Sequence, residues 1–534
     1  MSLKRIHVPV CVLALAVSKA QGAGLELNQH GVKELGHGFA GTAALLEDAS
    51  AIAHNPAGLT RLESSQFSGG LTALYADIEY DATLFTGKIE EANGDLERRE
   101  RDPGAPGRGE SQAITPIPHL YYSHKVNEDT AIGLGIYAPF GSGSDFPNAW
   151  QGRYHAEETS QTTVNINPTM ATRLSDTVSV GLGAVIQMYE ATLTNQIDVG
   201  YLVAEAVSEE LASEGDLSQD QLDDLYDEFI PADDPTRFDL HNDIEIDSIA
   251  YGFSFGMLWE PTETTRLGFN FRSRTEHLAT GQAERPLTEE YKDSLRDLAR
   301  DFLPDEEDAA AVEAAFDKRG AEGGDLSSNV TFPEILELSF HQQFRDRWAV
   351  MGSIAYTNWS VFDEIRLEYD ITSDGETADS GDTSAPDRGG EETGSVVRDE
   401  DGNVISDDRV GEDLKRRDLV QPLNFEDSMR YALGLSYDWN DRLTLRTGAS
   451  YDESPLQDSD FRTPRGPDND RIILGLGASY TVDDHLSIDA AYAFTRIKEA
   501  DVSPRENPAH TLHSFEGTTQ TNLHSLGVQA NYNF

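Results

Sequence analysis

Residues 523–534 read LHSLGVQANYNF, with apolar side chains at Leu526, Val528, Ala530, Tyr532 and Phe534 and polar or small ones between them. Successive side chains of a strand point to opposite faces, so a period of two gives one greasy and one polar face. An alternating C-terminal strand that stops on an aromatic is how the closing strand of a bacterial outer-membrane β-barrel reads. The expected location is therefore the bacterial outer membrane, and the expected partner of this strand is the outer-membrane assembly machinery.

The other end of the chain points to the same compartment. Lys4 and Arg5 precede a short apolar run over 8–17 and small residues at Ala20, Gly22 and Ala23, the pattern of a secretory signal peptide over 1–22. That run is too short to cross about 30 Å of hydrocarbon as a helix. No longer apolar stretch follows, so strands must do the spanning. The only cysteine, Cys11, lies in the removable segment, which leaves the mature chain without a disulfide framework or a thiolate metal site.

Acidic residues outnumber basic ones 95 to 41, for a formal charge of −54. Nucleic acid is excluded as a partner, because binding it depends on cations that neutralise phosphates. The acid concentrates in 90–110, 205–234, 284–325 and 370–418, between the alternating segments. It therefore belongs to loops. An acidic, self-repelling soluble surface is the favoured reading, with divalent ions bridging the loops to lipopolysaccharide as the other. Outer-membrane lipid and lipopolysaccharide are expected surroundings of such a protein.

Alternating segments come in pairs joined by short polar turns. They are 119–126 with 131–138, 164–174 with 178–189, and further pairs around 260–264, 345–347, 440–441 and 482–484. Six hairpins, an unpaired strand over 66–80 and the terminal strand predict a 14-stranded antiparallel transmembrane β-barrel over residues 64–534. Much longer connections, at 81–112, 140–161, 196–242, 281–329, 372–424, 455–470 and 498–519, fall on the other side and are predicted to be extracellular. Leu486, Ile488, Ala490, Tyr492 and Phe494 on one strand, and Met429, Tyr431, Leu433, Leu435, Tyr437 and Trp439 on another, are predicted to face lipid. Trp259, Trp348, Trp439 and Tyr480 beside short turns suit a periplasmic aromatic girdle.

Two long loops read as helical. Leu287, Tyr291, Leu295, Leu298 and Phe302 recur at helical spacing between Pro286 and Pro304, and Val207, Leu211, Leu222, Leu225 and Phe229 do so around Gly215. Each helix has one apolar side, which either packs the loop onto the barrel rim or offers ligand a landing surface. Residues 370–418, acidic and rich in Gly and Ser, read as a mobile loop.

Residues 23–63 show no strand alternation and are rich in Gly and Ala. A piece of about forty residues is too small to be an independent domain. Its economical place is inside the barrel, as a plug in a lumen that would otherwise hold water.

Asn55-Pro56-Ala57-Gly58-Leu59, preceded by Glu47-Asp48-Ala49-Ser50, resembles the hatch signature of the FadL-type long-chain fatty acid outer-membrane transporters, a family that includes aromatic-hydrocarbon channels. Tyr137-Ala138-Pro139-Phe140-Gly141 is similar to the segment where that family breaks the pairing of its third strand. The runs 150–156 and 165–168, Tyr451-Asp452 with Pro455, Arg462-Thr463-Pro464 and Pro467-Asp468 complete the likeness, which extends from Ala23 to Phe534. The resemblance implies passive uptake of hydrophobic compounds, foremost long-chain fatty acids, captured at extracellular loops and released sideways through a strand kink. Burial of an alkyl tail, at about 0.8 kcal/mol per methylene, suffices to drive capture.

Independently of the family, Pro139 has no amide hydrogen for a ladder, and Gly141 follows it closely. The pair either diverts the strand and opens the wall, or ends the strand at the loop. The residues expected to bind or gate are Asn55, Pro56, Ala57, Tyr137, Pro139, Phe140, Gly141, Leu287, Tyr291, Leu295 and Phe302. The resemblance puts a carboxylate beside a basic lumen residue; the position aligned with one such arginine is Asn195, so Arg173, Arg430 and Arg446 are the candidate substitutes, and neutral hydrocarbons stay open as cargo.

No catalytic constellation, cofactor motif or metal-ligand spacing is expected. Asp399, Asp401, Gly402 and Asn403 lack the closing glutamate of a calcium loop. A porin, an adhesin or phage receptor and an outer-membrane hydrolase are the alternative functions, and the chain is expected to be a monomer.

Overall fold

A computed structural model of the protein describes residues 25–90, 96–101, 107–147, 150–214, 218–231, 234, 236–303, 323–369, 396–398, 404–407, 419–503 and 513–534. The signal segment, the Asp399–Asn403 run and most of the acidic loop expected to be mobile lie outside these residues.

The architecture is a closed barrel of fourteen antiparallel strands. In chain order they are β1 (Gln66–Glu90), β2 (Arg108–Lys125), β3 (Thr130–Tyr137, resuming as Gly141–Asp145), β4 (Glu158–Ser175), β5 (Val178–Asp198) and β6 (Asp239–Thr262). There follow β7 (Thr265–Arg272 and Thr275–Glu284), β8 (Gly324–Phe332 and Ile335–Phe344), β9 (Trp348–Thr357 and Glu364–Tyr369) and β10 (Leu419–Pro422 and Ser428–Asn440). The last four are β11 (Leu443–Asp452), β12 (Arg471–Thr481), β13 (Leu486–Ile497 and Ala500–Val502) and β14 (His513–Asn533). Pairing of β1 with β14, from Gln66 opposite Asn533 to Thr86 opposite His513, closes the cylinder. Closure joins the first strand to the last, so neither end of the sheet is left open to hydrocarbon.

Alternation sets the two faces. On β14, Leu526, Val528 and Tyr532 are exposed whereas Leu523, Ser525, Gln529 and Asn531 are buried. The same holds on β10 and β13, where Tyr431, Leu433, Ile488 and Tyr492 point outward and Arg430, Asp489 and Ala491 inward. Trp259, Trp439 and Tyr480 stand exposed beside the short turns, and Trp348 lies against Tyr437 with ring centroids 4.4 Å apart.

The segment ahead of β1 folds into α1 (Val32–Gly36), α2 (Thr42–Leu45), α3 (Ala51–His54) and a 3₁₀ turn (Pro56–Arg61). It lies in the bore, because its partners come from strands all around it. Thr72 of β1 donates to the Gln29 carbonyl at 3.0 Å and Tyr121 of β2 to that of His30 at 2.8 Å. Thr60 donates to Ser179 of β5 at 2.8 Å, and the Ala43 amide to Ser339 of β8 at 3.1 Å. His37 meets Ser436 of β10 at 2.7 Å, Arg446 of β11 donates to Glu47 at 2.8 Å, and Gln529 of β14 donates to Asp48 at 3.0 Å. Glycines let this segment approach the wall: a Cβ on Gly268 would strike the Ala43 carbonyl, and one on Gly448 the His37 carbonyl.

On the side of the long connections, α4 (Val199–Glu214), α5 (Gln219–Phe229) and α6 (Glu289–Ala299) form a small helical cluster. Val203, Val207, Leu225, Phe229, Leu295 and Ala299 are its buried centre. Thr288 caps α6 by accepting the Tyr291 amide at 3.2 Å, which fixes where the helix starts.

Candidate functional site

Neighbouring strands of the wall part between β2 and β3. β1 and β2 pair continuously from Gln66 opposite Ser123 to Asp81 opposite Arg108. β2 and β3 pair only from Leu120 opposite Ile136 to Lys125 opposite Ala131. Beyond Leu120, β2 keeps β1 on one edge, and among the described residues no strand forms a ladder with the other. Pro116 and Pro118 lie on this stretch, and proline is tolerated in a strand where its missing N–H faces an unpaired edge.

β3 leaves that edge at Pro139. It stays bonded to β4, since the Phe140 amide donates to Thr163 Oγ1 at 3.0 Å and the Thr163 amide to the Phe140 carbonyl at 2.9 Å. The other edge turns into the bore and takes the start of the N-terminal segment as its partner. The Leu27 amide donates to the Pro139 carbonyl and the Gly141 amide to the Leu25 carbonyl, both at 2.8 Å, with Glu26 opposite Phe140. The strand is therefore diverted rather than ended. A Cβ on Gly141 would stand 3.0 Å from a Leu27 methyl, so a small residue is what allows this bridge.

Two apolar clusters meet at the bridge. Phe140, fully buried, stacks on Phe332 with centroids 4.8 Å apart and meets Trp359 edge-on at 6.0 Å. Tyr189, Phe362, Tyr369 and Leu25 belong to the same cluster. On the far side, Leu27 and Ala138 join Leu74, Ile117 and Leu523 behind the unpaired edge of β2. Tyr137 faces a third group, with His30 stacked on it at 5.0 Å and on His54 at 4.9 Å, and with Ala57, Ile52 and Tyr121 around it.

Asn55 ties this third group to the wall. Its Nδ2 donates to the Ala43 carbonyl at 2.8 Å and to that of Met257 on β6 at 3.1 Å, while its Oδ1 accepts the Ala57 amide at 3.0 Å. Pro56 packs over Gly181 and Gly256. Electrostatics hold the rest of the segment. Lys33 sits 3.1 Å from Asp48 and 4.0 Å from Asp489. Burial alone would lower the Lys33 pKa, but Asp489, Asp48 and Glu47 outweigh it and raise it. Burial, reinforced by Asp48, pushes the Glu34 carboxyl up to about 8, and burial pushes His37 and His54 down to about 3.

The structure gathers Tyr137, Pro139, Phe140 and Gly141 around the bridge, with Asn55, Pro56 and Ala57 beneath the Tyr137 group. It places Leu287, Tyr291, Leu295 and Phe302 elsewhere, in the helical cluster, where Leu295 is buried and Tyr291 donates to the Phe238 carbonyl at 2.7 Å. The apolar side of α6 is thus largely taken up by α4, α5 and the start of β6. Of the three candidate arginines, Arg173 donates to the Thr60 carbonyl at 3.3 Å, near the short turns. Arg430 faces Glu337 at 3.8 Å and Arg446 faces Glu47 at 2.8 Å. Sequence reasoning missed Phe332, Trp359 and Phe362, whose signal was the breaks at Pro333 and around 358–363, and also Pro116 and Pro118. It also passed over Arg465, inside the run whose flanking residues it had singled out.

The family model for outer membrane protein transport proteins (OMPP1/FadL/TodX) matches residues 13–534. Outer membrane protein P1 of Haemophilus influenzae is 25% identical over 540 residues, spanning 98% of this chain and 97% of that protein. The long-chain fatty acid transport protein of Escherichia coli O6:H1 is 25% identical over 531 residues, again 98% and 97%. A crystal structure of a Pseudomonas aeruginosa FadL homologue shares the fold with a TM-score of 0.71 and 21% identity, covering 96% of this chain and all of that one (100%). A closed barrel parted at one kinked strand and a family match along nearly its whole length lead to one conclusion: the chain belongs to the OMPP1/FadL/TodX family of outer-membrane transporters of hydrophobic compounds.

Proposed function

We propose that this protein takes up long-chain fatty acids without an energy source and releases them sideways into the outer membrane between β2 and β3. The observation that carries the reading is the edge of β2 beyond Leu120, left without a ladder partner among the described residues while β3 pairs instead with residues 25–27. A break in the ladder of a membrane-spanning wall is costly, so its presence here calls for a use. The cluster around Phe140 and Phe332 offers an alkyl tail burial on the bore side, and the cluster around Leu27 and Ile117 offers it at the exit. Between them stands the bridge of 25–27 with 139–141, held by two backbone hydrogen bonds. Cargo passes when the bridge yields and lipid contacts replace protein contacts. The rings of Phe140, Phe332, Trp359 and Phe362 favour a second cargo, neutral aromatic hydrocarbons, through the same route.

The test is uptake of a labelled fatty acid and a labelled aromatic hydrocarbon by cells that carry the wild type, Pro139→Ala or Gly141→Val. Both substitutions are expected to reduce uptake several-fold while leaving the amount of folded barrel unchanged. Unaltered uptake in both variants would refute the lateral route, and faster uptake of the hydrocarbon alone would favour the second cargo.

A further inference from the structure

Across the barrel from the parting of β2 and β3, the outer wall between β7 and β12 is hollowed. Ladder partners on neighbouring strands set one outward row at Phe340, Gly352, Leu433, Ala449 and Leu474. Small residues alternate with bulky ones in it, so the surface dips at Gly352 and Ala449. The next row toward the long connections, Ile354, Tyr431, Tyr451 and Ile472, rises above the dip. The hollow measures about 850 Å³ and is lined almost wholly by apolar atoms, a size that suits ligand binding. Its lining runs from Leu267 on β7 to Ile472 on β12, five strand spacings or about 24 Å. That is wider than one alkyl chain. Leu338, Leu433 and Ile472 on its walls stand exposed to the membrane.

The upper row continues past Ile472 to its ladder partner on β13, Arg496, which also faces outward and stands opposite Asn522 of β14. Tilted strand from Leu486, beside the short turn, to Arg496 climbs about 25 Å along the barrel axis, the height of the apolar band. Arg496 therefore stands where hydrocarbon gives way to head groups. Its Nη1 donates to Asn522 Oδ1 at 3.0 Å, and among the described residues no carboxylate lies within 4.0 Å of it. Other outward cations toward this end have acids. Arg274 meets Glu334 at 2.7 Å, Arg108 pairs with Asp81, and Lys498, just beyond Arg496, meets Asp470 at 2.8 Å. Lys498 shares Asp470 with the Tyr451 hydroxyl, which donates at 2.6 Å, and is more than half exposed, so its ammonium keeps donors for a second anion. In a chain of net charge −54, an outward cation without an acid beside it is placed for an anion that the membrane supplies.

We infer that this face binds one molecule of lipopolysaccharide, with its acyl chains in the hollow over Gly352 and Ala449 and a phosphate of its head on Arg496, Lys498 beside it. Guanidinium and phosphate match in charge and in the geometry of their paired hydrogen bonds. The width of the hollow favours a lipid with several chains, and its place below the long connections favours the outer leaflet. The site lies half the barrel's circumference away from the opening between β2 and β3, so it stands independently of the uptake route proposed above.

The test measures binding of lipid A and of zwitterionic phosphatidylcholine to the purified full-length protein by native mass spectrometry, in wild type, Arg496→Gln, Arg496→Lys and Ala449→Phe. Wild type is expected to hold one lipid A about ten- to a hundredfold more tightly than phosphatidylcholine, the range of one hydrogen bond to a charged group. Arg496→Gln should remove that preference, and Arg496→Lys should keep most of it. Ala449→Phe fills the hollow and should weaken both lipids several-fold. Equal wild-type affinity for the two lipids, or a preference that survives Arg496→Gln, would overturn the head-group contact. Unchanged lipid A binding in Ala449→Phe would overturn the hollow as the seat of the chains. Paired protein chains without bound lipid would overturn the assignment in favour of a second copy of this chain. The wild-type ratio decides the matter even if a variant does not fold.

Discussion

Asn55→Ala is the perturbation whose consequence the structure sets out most directly. The side chain is fully buried and makes three hydrogen bonds, two donated to the Ala43 and Met257 carbonyls and one accepted from the Ala57 amide. Alanine removes all three. At about 1 kcal/mol for each bond, the seat of the N-terminal segment weakens by about 3 kcal/mol. The barrel ladder keeps its own bonds, so the loss is local and appears as easier opening of residues 42–62. At 1.4 kcal/mol per decade, hydrogen-exchange protection there should fall about a hundredfold, while peptides from the β1–β14 closure stay unchanged. Small-ion conductance in planar bilayers should rise in parallel. Asn55→Asp keeps the acceptor for Ala57 but loses both donations and buries a charge, so it should cost at least as much. If protection over 42–62 stays at the wild-type level in Asn55→Ala, these hydrogen bonds are not what seats the segment.

Gly268→Ala drives a Cβ into the Ala43 carbonyl and should cost about 1 to 3 kcal/mol of the same seat, whereas Gly466, with nothing within 4 Å of its would-be Cβ, should accept alanine within about 0.5 kcal/mol; equal exchange rates in the two variants would contradict this. Phe140→Ala empties a fully buried ring site and should loosen the bridge by about 3 kcal/mol or more, read as faster exchange at 138–142; an unchanged rate would mean that the ring does not brace it. Acidification from pH 7 to 5 should also loosen the N-terminal segment. His37 and His54 are held down to about 3 and His30 well below its ordinary value, so below about 6.5 the released segment takes up protons that the seated one refuses. Glu34, raised to about 8, works the other way over this range, but it is one group against three. Faster intrinsic-corrected exchange over 30–54 at pH 5 is the expected result, and slower exchange would show that Glu34 dominates.

Much of the architecture was legible because its cause is local. A period of two needs only a strand with unlike faces, so all six short turns, the strand number and the lipid-facing sets on β10, β13 and β14 could be read from side chains in order. The helices α4, α5 and α6 were legible for the same reason, from a helical period and a break near Gly215. What their apolar sides face was not, since that depends on three helices meeting one another.

The site was decided by tertiary structure. The chain order shows that Pro139 cannot complete a ladder, but not that residues 25–27 take the bonds it leaves, because that partner lies more than a hundred positions away. Phe140, Phe332, Trp359 and Tyr189 sit on or beside β3, β8, β9 and β5 and become neighbours only when the sheet closes. Arg465 reads in sequence as one more loop cation. Its contacts with Glu158, Thr159 and Asn195 exist only once the loop has crossed the bore. Alternation along a strand determines which way each side chain points, and only the closed cylinder determines what it meets there.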